Sequence, residues 1–135
     1  MFNFLKKNEK FAVVSPTSGN LITLSEVNDQ VFSKKMMGDG FAVIPTDKEF
    51  CSPIDGKIEA IFPTKHAVGL KSDDGIDIIL HIGIDTVDLN GVGFSTFVKQ
   101  GNRVKQGQKL ISITDEVFKN PENNLTTMVV FPNIT

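Results

Sequence analysis

His66-Ala67-Val68-Gly69-Leu70-Lys71-Ser72-Asp73-Asp74-Gly75-Ile76-Asp77-Ile78-Ile79-Leu80-His81-Ile82 sets two β-prone apolar runs on either side of a short polar segment that ends in Asp-Gly. Asp-Gly between apolar runs is a hairpin signal, because both residues tolerate the left-handed backbone of a tight turn. The stretch therefore reads as two antiparallel strands over 66–70 and 76–82. His66 and His81, the two histidines of the chain, then lie at similar distances from the turn. Their odd separation of fifteen is compatible with a facing pair across the hairpin. A bulge would shift that register by one residue and turn one ring to the opposite face.

Outward from this hairpin the chain continues as short strands divided by turn chemistry. Upstream, Phe11-Ala12-Val13-Val14, Leu21-Ile22-Thr23-Leu24, Phe41-Ala42-Val43-Ile44, Glu49 to Ser52 and Lys57 to Phe62 read as strands. Ser15 to Asn20, Pro45 and Pro53-Ile54-Asp55-Gly56 interrupt them, and Val31 to Met37 reads as one helical turn before Gly38-Asp39-Gly40 breaks it. Downstream, Phe97 to Ile113 is a run of glycine-punctuated short strands. Asn120 to Asn124 reads as a loop and Met128 to Phe131 as a last strand. No segment has the length and period of a long helix. The fold class is all-β, an antiparallel sandwich or barrel with at most short helical turns.

The totals exclude several function classes. At 135 residues the chain is long enough for one domain with a real core, read here as 11–135 behind a flexible tail of 1–10. A net charge of −2 and a pI near 5.6 give no concentration of positive charge for nucleic acid. The lone cysteine, Cys51, rules out an intramolecular disulfide framework, fits a reducing cytoplasmic location, and reads as a small buried hydrophobe. No run approaches the ~18 apolar residues of a membrane span, and the start has neither the apolar core nor the cleavage site of a signal peptide. In the tail, Phe2, Phe4 and Leu5 precede Lys6, Lys7 and Lys10, so any membrane contact there is peripheral and weak.

Titratable chemistry concentrates in the hairpin. No serine lies in a Gly-x-Ser-x-Gly elbow, and no Lys-Ser or Lys-Thr follows a glycine-rich turn as a phosphate-binding loop requires. His81-Ile82-Gly83-Ile84-Asp85 has the His-x-x-x-Asp spacing of LytM-like zinc endopeptidases. A catalytic zinc needs three protein ligands, however, and no histidine follows His81. What remains is covalent chemistry on imidazole: one ring accepts a phosphoryl group, and a second donates a hydrogen bond to the arriving oxygens. That task needs no metal, no cofactor and no deep pocket, and an apolar rim would serve it if both donor and acceptor are proteins.

Several motifs carry a specific resemblance over 15–133. They include Ser15-Pro16-x-x-Gly19, Asp29-Gln30-Val31-Phe32, Gly38-Asp39-Gly40, Ser52-Pro53-x-Asp55-Gly56 and Phe62-Pro63-Thr64-Lys65-His66-Ala67. His81-Ile82-Gly83-Ile84-Asp85-Thr86-Val87, Asn90-Gly91-x-Gly93-Phe94 and Gly101-x-x-Val104-x-x-Gly107 extend it. With these the chain resembles the glucose-type enzyme IIA domain of the bacterial phosphoenolpyruvate-dependent sugar phosphotransferase system.

The resemblance implies an antiparallel β-sandwich with a shallow active-site depression. It implies that His81 accepts a phosphoryl group through Nε2 from the histidine-containing phosphocarrier protein and passes it to a cysteine of the IIB domain of a sugar permease. His66 would stabilise the transferring group, with Thr64 hydrogen-bonded to that ring. Phe32, Met36, Met37, Phe62, Ile79 and Val87 match the apolar docking rim, and Asp29 and Asp85 match acidic positions that meet partner arginines. Read without the family, the methionines are equally core residues and the aspartates solvated turn residues. The same site also suits a regulatory binding protein whose partner choice depends on His81 phosphorylation. Two departures stand out. Relatives usually continue beyond Asn133 with a closing β-hairpin, whose loss would leave a sheet edge open to pairing. The segment from Thr114 to Asn124 also fits poorly, with Thr114 and Met128 where relatives often carry Asp and Pro.

Overall fold

The structure, a computed structural model, describes residues 12–133. The tail expected at 1–10 lies outside the described residues. Within them, two antiparallel sheets form the sandwich that the alternation of apolar runs and turns predicts. In chain order the strands are β1 Gly19–Thr23, β2 Asp39–Pro45, β3 Glu49–Cys51, β4 Gly56–Ile61 and β5 Ala67–Ser72. They continue as β6 Asp77–Ile84, β7 Phe94–Thr96, β8 Arg103–Val104, β9 Lys109–Ile113 and β10 Asn124–Phe131. The larger sheet runs β1-β2-β10-β6-β5-β4-β8, and the smaller runs β3-β9-β7. Two short helices, α1 Gln30–Ser33 and α2 Asp115–Lys119, complete the regular structure with the 3₁₀ turns Leu24–Glu26 and Thr86–Leu89.

Strand β6 divides the interior in two. Ile78, Leu80 and Ile82 point into the main core, where they meet Phe50, Leu110 and Ile111 from the smaller sheet and Leu70 and Val129 from neighbouring strands. Burying each such aliphatic side chain contributes about 1.5–3 kcal/mol. Ile79 instead packs against a second cluster of Leu24, Val27, Phe32, Ala42, Met128 and Val130, which α1 and the first 3₁₀ turn roof over, and Ile84 joins it beyond the left-handed Gly83, where the pleat is broken. The period-2 alternation thus splits one strand between two cores.

The structure corrects the sequence reading at several points. Phe11 lies outside the described residues, and Ala12 to Val14 form no strand. They are tied instead to loops, with Val14 N donating to the Pro53 carbonyl at 3.0 Å and Gln106 Nε2 to the Ala12 carbonyl at 3.0 Å. β1 starts two residues before Leu21 and stops at Thr23, where a capping box starts a 3₁₀ turn. There Glu26 accepts from the Thr23 N–H at 2.8 Å. Only Gly38 of the Gly38-Asp39-Gly40 break stays outside β2. α2 was not anticipated; Thr114 caps it, accepting from the Val117 N–H at 3.3 Å. β10 begins four residues before Met128 and, far from being peripheral, lies between β2 and β6. Cys51 is half-buried, at the end of an edge strand, rather than in the core. Burial and the carboxylates of Glu49 and Asp47 push its thiol pKa up, so it is a poor nucleophile.

The hairpin forms, with a register one residue away from the expected one. Ala67, not His66, pairs with His81, and Leu70 with Ile78. The connection therefore closes with the other parity, so in a regular pleat His66 and His81 would point to opposite faces. They do not, because His66 lies just outside the pleat: it follows Lys65 in the left-handed region at φ 61° and precedes the first residue of β5.

Candidate active site

His81 lies near the middle of β6, with Ala67 on one side and Met128 of β10 on the other. Its ring turns away from the main core towards α1. Phe32 meets it there at a centroid distance of 4.9 Å, with the planes tilted by 58°. Phe32 is held in place because the Asp29 carboxylate caps α1, accepting from the N–H groups of Val31 at 2.9 Å and Phe32 at 3.3 Å. Phe32 is only 5% exposed. It therefore packs against the His81 ring as a largely buried side chain.

His66 approaches from the other side. It is 5% exposed, and its carbonyl accepts from the Ile82 N–H at 2.7 Å. Its ring packs edge-on against Phe62 at 5.7 Å and meets His81 at 4.9 Å with the planes at 82°. Each imidazole is anchored through Nδ1 by a different oxygen. His81 Nδ1 lies 3.0 Å from the Gly83 carbonyl. A carbonyl only accepts, so Nδ1 carries the proton and Nε2 keeps its lone pair. His66 Nδ1 lies 2.6 Å from Thr64 Oγ1. With the hydroxyl as donor, the His66 proton resides on Nε2. Among the described residues neither Nε2 has a hydrogen-bond partner.

Burial is the main cause that pushes the His81 pKa down, to about 4, and the neighbouring His66 lowers it further. The hydrogen bond to Gly83 and the carboxylate of Asp29 oppose this more weakly. Burial also lowers the pKa of His66. Both rings are therefore neutral at pH 7. A titration of the His81 ring by NMR should show a midpoint near 4, not the ordinary 6.5; a midpoint at the ordinary value would refute the desolvated setting. The sign for stability follows from proton counting. Between about 4 and 6.5 the unfolded chain binds the proton that the folded site refuses, so stability rises with pH through this window and is lost as pH falls.

The other anticipated residues differ in exposure. Met36 is 71% exposed, Val87 47% and Phe62 41%, and of the three Phe62 packs edge-on against the His66 ring. Met37 and Ile79 are half-buried against the second cluster. Asp85 is exposed at the start of the second 3₁₀ turn, with φ 59°. Two features escaped the sequence reading. Val31, next to Phe32 in α1, is 42% exposed. The Gly83 carbonyl is a backbone group, and no side-chain pattern signals its direction. Among the described residues no three His, Cys, Asp or Glu side chains gather as a metal site.

Comparison with known proteins agrees with this architecture. The family profile for the phosphoenolpyruvate-dependent sugar phosphotransferase system, EIIA 1, matches residues 11–135. A glucose-specific EIICBA component from Staphylococcus saprophyticus is 45% identical over 127 residues, which is 93% of this chain and 19% of that protein. The chain thus spans about a fifth of the length of that curated relative. The solved glucose permease IIA from Mycoplasma capricolum superposes with a TM-score of 0.83 at 42% identity, over 91% of this chain and 80% of that one. Fold and matches together define the class, a β-sandwich IIA domain. The chain belongs to the EIIA 1 family of the phosphoenolpyruvate-dependent sugar phosphotransferase system. No described helix is long and apolar enough to cross a membrane.

Proposed function

We propose that His81 is the phosphoryl acceptor and His66 the group that stabilises the phosphoryl in transit. One observation carries this reading: two neutral rings in edge-to-face contact, each anchored through Nδ1, with Nε2 of each left unbonded among the described residues. The lone pair of His81 Nε2 attacks the phosphorus of a phosphohistidine on the histidine-containing phosphocarrier protein. A new N–P bond forms as the donor's N–P bond breaks, and the bonding pair returns to the donor ring. Positive charge develops on the His81 ring, and the Gly83 carbonyl stabilises it through Nδ1–H. His66 Nε2–H donates to the phosphoryl oxygens.

In the second half-reaction a cysteine thiolate of a IIB domain attacks phosphorus, the N–P bond breaks, and its electron pair restores the neutral His81 ring. Met36, Phe62 and Val87 supply the apolar contact area for both partners, with Met37 and Ile79 beneath it. Asp29 and Asp85 offer carboxylates to partner arginines. Both relatives are named for glucose, which makes the IIB domain of a glucose permease the first acceptor to test. The reaction belongs on the cytoplasmic side, where phosphoenolpyruvate is available.

The test is labelling by the phosphocarrier system with phosphoenolpyruvate as source, read by intact mass. One acid-labile phosphoryl group per chain is the expected result, and no labelling of the folded protein would overturn the proposal. Thr64 has its own signature. Thr64→Val removes the hydroxyl that fixes His66, so the His66 ring should populate both tautomers by ¹⁵N NMR and onward transfer should fall roughly tenfold. An unchanged tautomer in that variant would refute its role.

A further inference from the structure

We infer that Thr86 is a positioning residue for phosphoryl acceptance: it holds the peptide that precedes Gly83 and packs against the Gly83 Cα, and so aims the Gly83 carbonyl at His81 Nδ1. The inference rests on the proposed acceptor role of His81. Thr86 opens the 3₁₀ turn after β6, is 2% exposed, and touches neither ring through any hydrogen bond in the described residues. Its hydroxyl donates to the Ile82 carbonyl, which belongs to the peptide immediately before the Gly83 Cα. Its Cγ2 methyl occupies the space that a Cβ at position 83 would need.

The chain here needs holding. Gly83 has φ 85° and Asp85 has φ 59°, two left-handed residues within three positions at the point where β6 turns away from the sheet. Left-handed geometry is open to glycine at no steric cost, and glycine also explores the widest range of alternatives. An unrestrained Gly83 would thus let its carbonyl swing. Asn124 of β10 bounds Gly83 on another side, with its carbonyl 3.0 Å from where a Cβ would stand, so Thr86 closes the remaining freedom. The consequence reaches the reaction through the tautomer. Imidazole in water favours the proton on Nε2, the atom that must be bare to attack. Only a fixed acceptor at Nδ1 reverses that preference. Thr86 is therefore two contacts removed from the phosphorus and still sets whether the nucleophile has a lone pair.

The test uses the full chain and reads the His81 ring by ¹⁵N NMR without any phosphate donor, and then acceptance rates with the phosphocarrier system. Thr86→Val keeps a branched side chain and removes the hydroxyl. It should show a mixture of His81 tautomers and a roughly tenfold slower acceptance, while Thr86→Ser, which keeps the hydroxyl, restores most of both. Thr86→Ala gives the same reading if valine against the Ile82 carbonyl prevents folding. A His81 ring that keeps its proton on Nδ1 in both Thr86→Val and Thr86→Ala overturns the inference, whatever the rates. A shifted tautomer with unchanged acceptance upholds the positioning and counts instead against Nε2 as the acceptor.

Discussion

His81→Gln should accept no phosphoryl group at all, while the protein melts close to the unsubstituted chain. Glutamine has similar length and can still lie against Phe32, but its amide nitrogen has no lone pair available to attack phosphorus. The ring it replaces is one of two imidazoles in the whole chain, and the other, His66, is 5% exposed, with its Nδ1 2.6 Å from the Thr64 hydroxyl. No second site should therefore take over. Intact mass after incubation with phosphoenolpyruvate and the phosphocarrier system reads the outcome, with a thermal melt of the same sample to show that it is folded. A labelled His81→Gln protein would remove His81 from the mechanism.

His66→Gln should separate the two halves of the reaction. Acceptance by His81 should be largely retained, because its Nε2 lone pair is set by Gly83 and not by His66. Onward transfer to a IIB cysteine should fall by about 10²–10³-fold, the loss typical of removing one preorganised donor to a developing oxyanion. The glutamine amide can donate a hydrogen bond, but no ring held by Thr64 and packed on Phe62 fixes it in place. A second readout keeps the result interpretable. Since His66 itself lowers the His81 pKa, its removal should raise the His81 titration midpoint above about 4. Transfer at the unsubstituted rate, in a variant whose midpoint has risen, would show that the rings are coupled electrostatically without sharing the chemistry.

A regulatory binding protein whose partner choice depends on His81 phosphorylation would use the same surface, and the second of these variants distinguishes it from a carrier. A carrier loses flux in His66→Gln, whereas a protein that acts only by binding keeps its partners so long as His81 is still labelled.

Much of this was legible from local pattern. Asp-Gly and the apolar runs around it announce the β5–β6 hairpin, and alternation along 76–82 announces a strand with two different faces. The motifs from Ser15 to Gly107 carry the family. The register was not legible, because one residue of parity depends on how the connection closes and on the left-handed Lys65 before β5. The central place of β10 was hidden for a related reason: its partners are β2 and β6, far back along the chain, and only sheet assembly selects them. α2 is a single capped turn, too short to have a period.

The sequence alone determined that this is an antiparallel β protein with its two histidines in one short segment, because strand periodicity and turn chemistry act over a few residues. The tertiary structure decided which nitrogen of each ring is free and how readily it is protonated. Those properties come from a backbone carbonyl aimed by the turn after β6, from a threonine hydroxyl beside a residue that has left the pleat, and from Phe32 packed against His81. Desolvation and hydrogen-bond direction are sums over neighbours that the fold brings together from distant parts of the chain, and no local pattern encodes them.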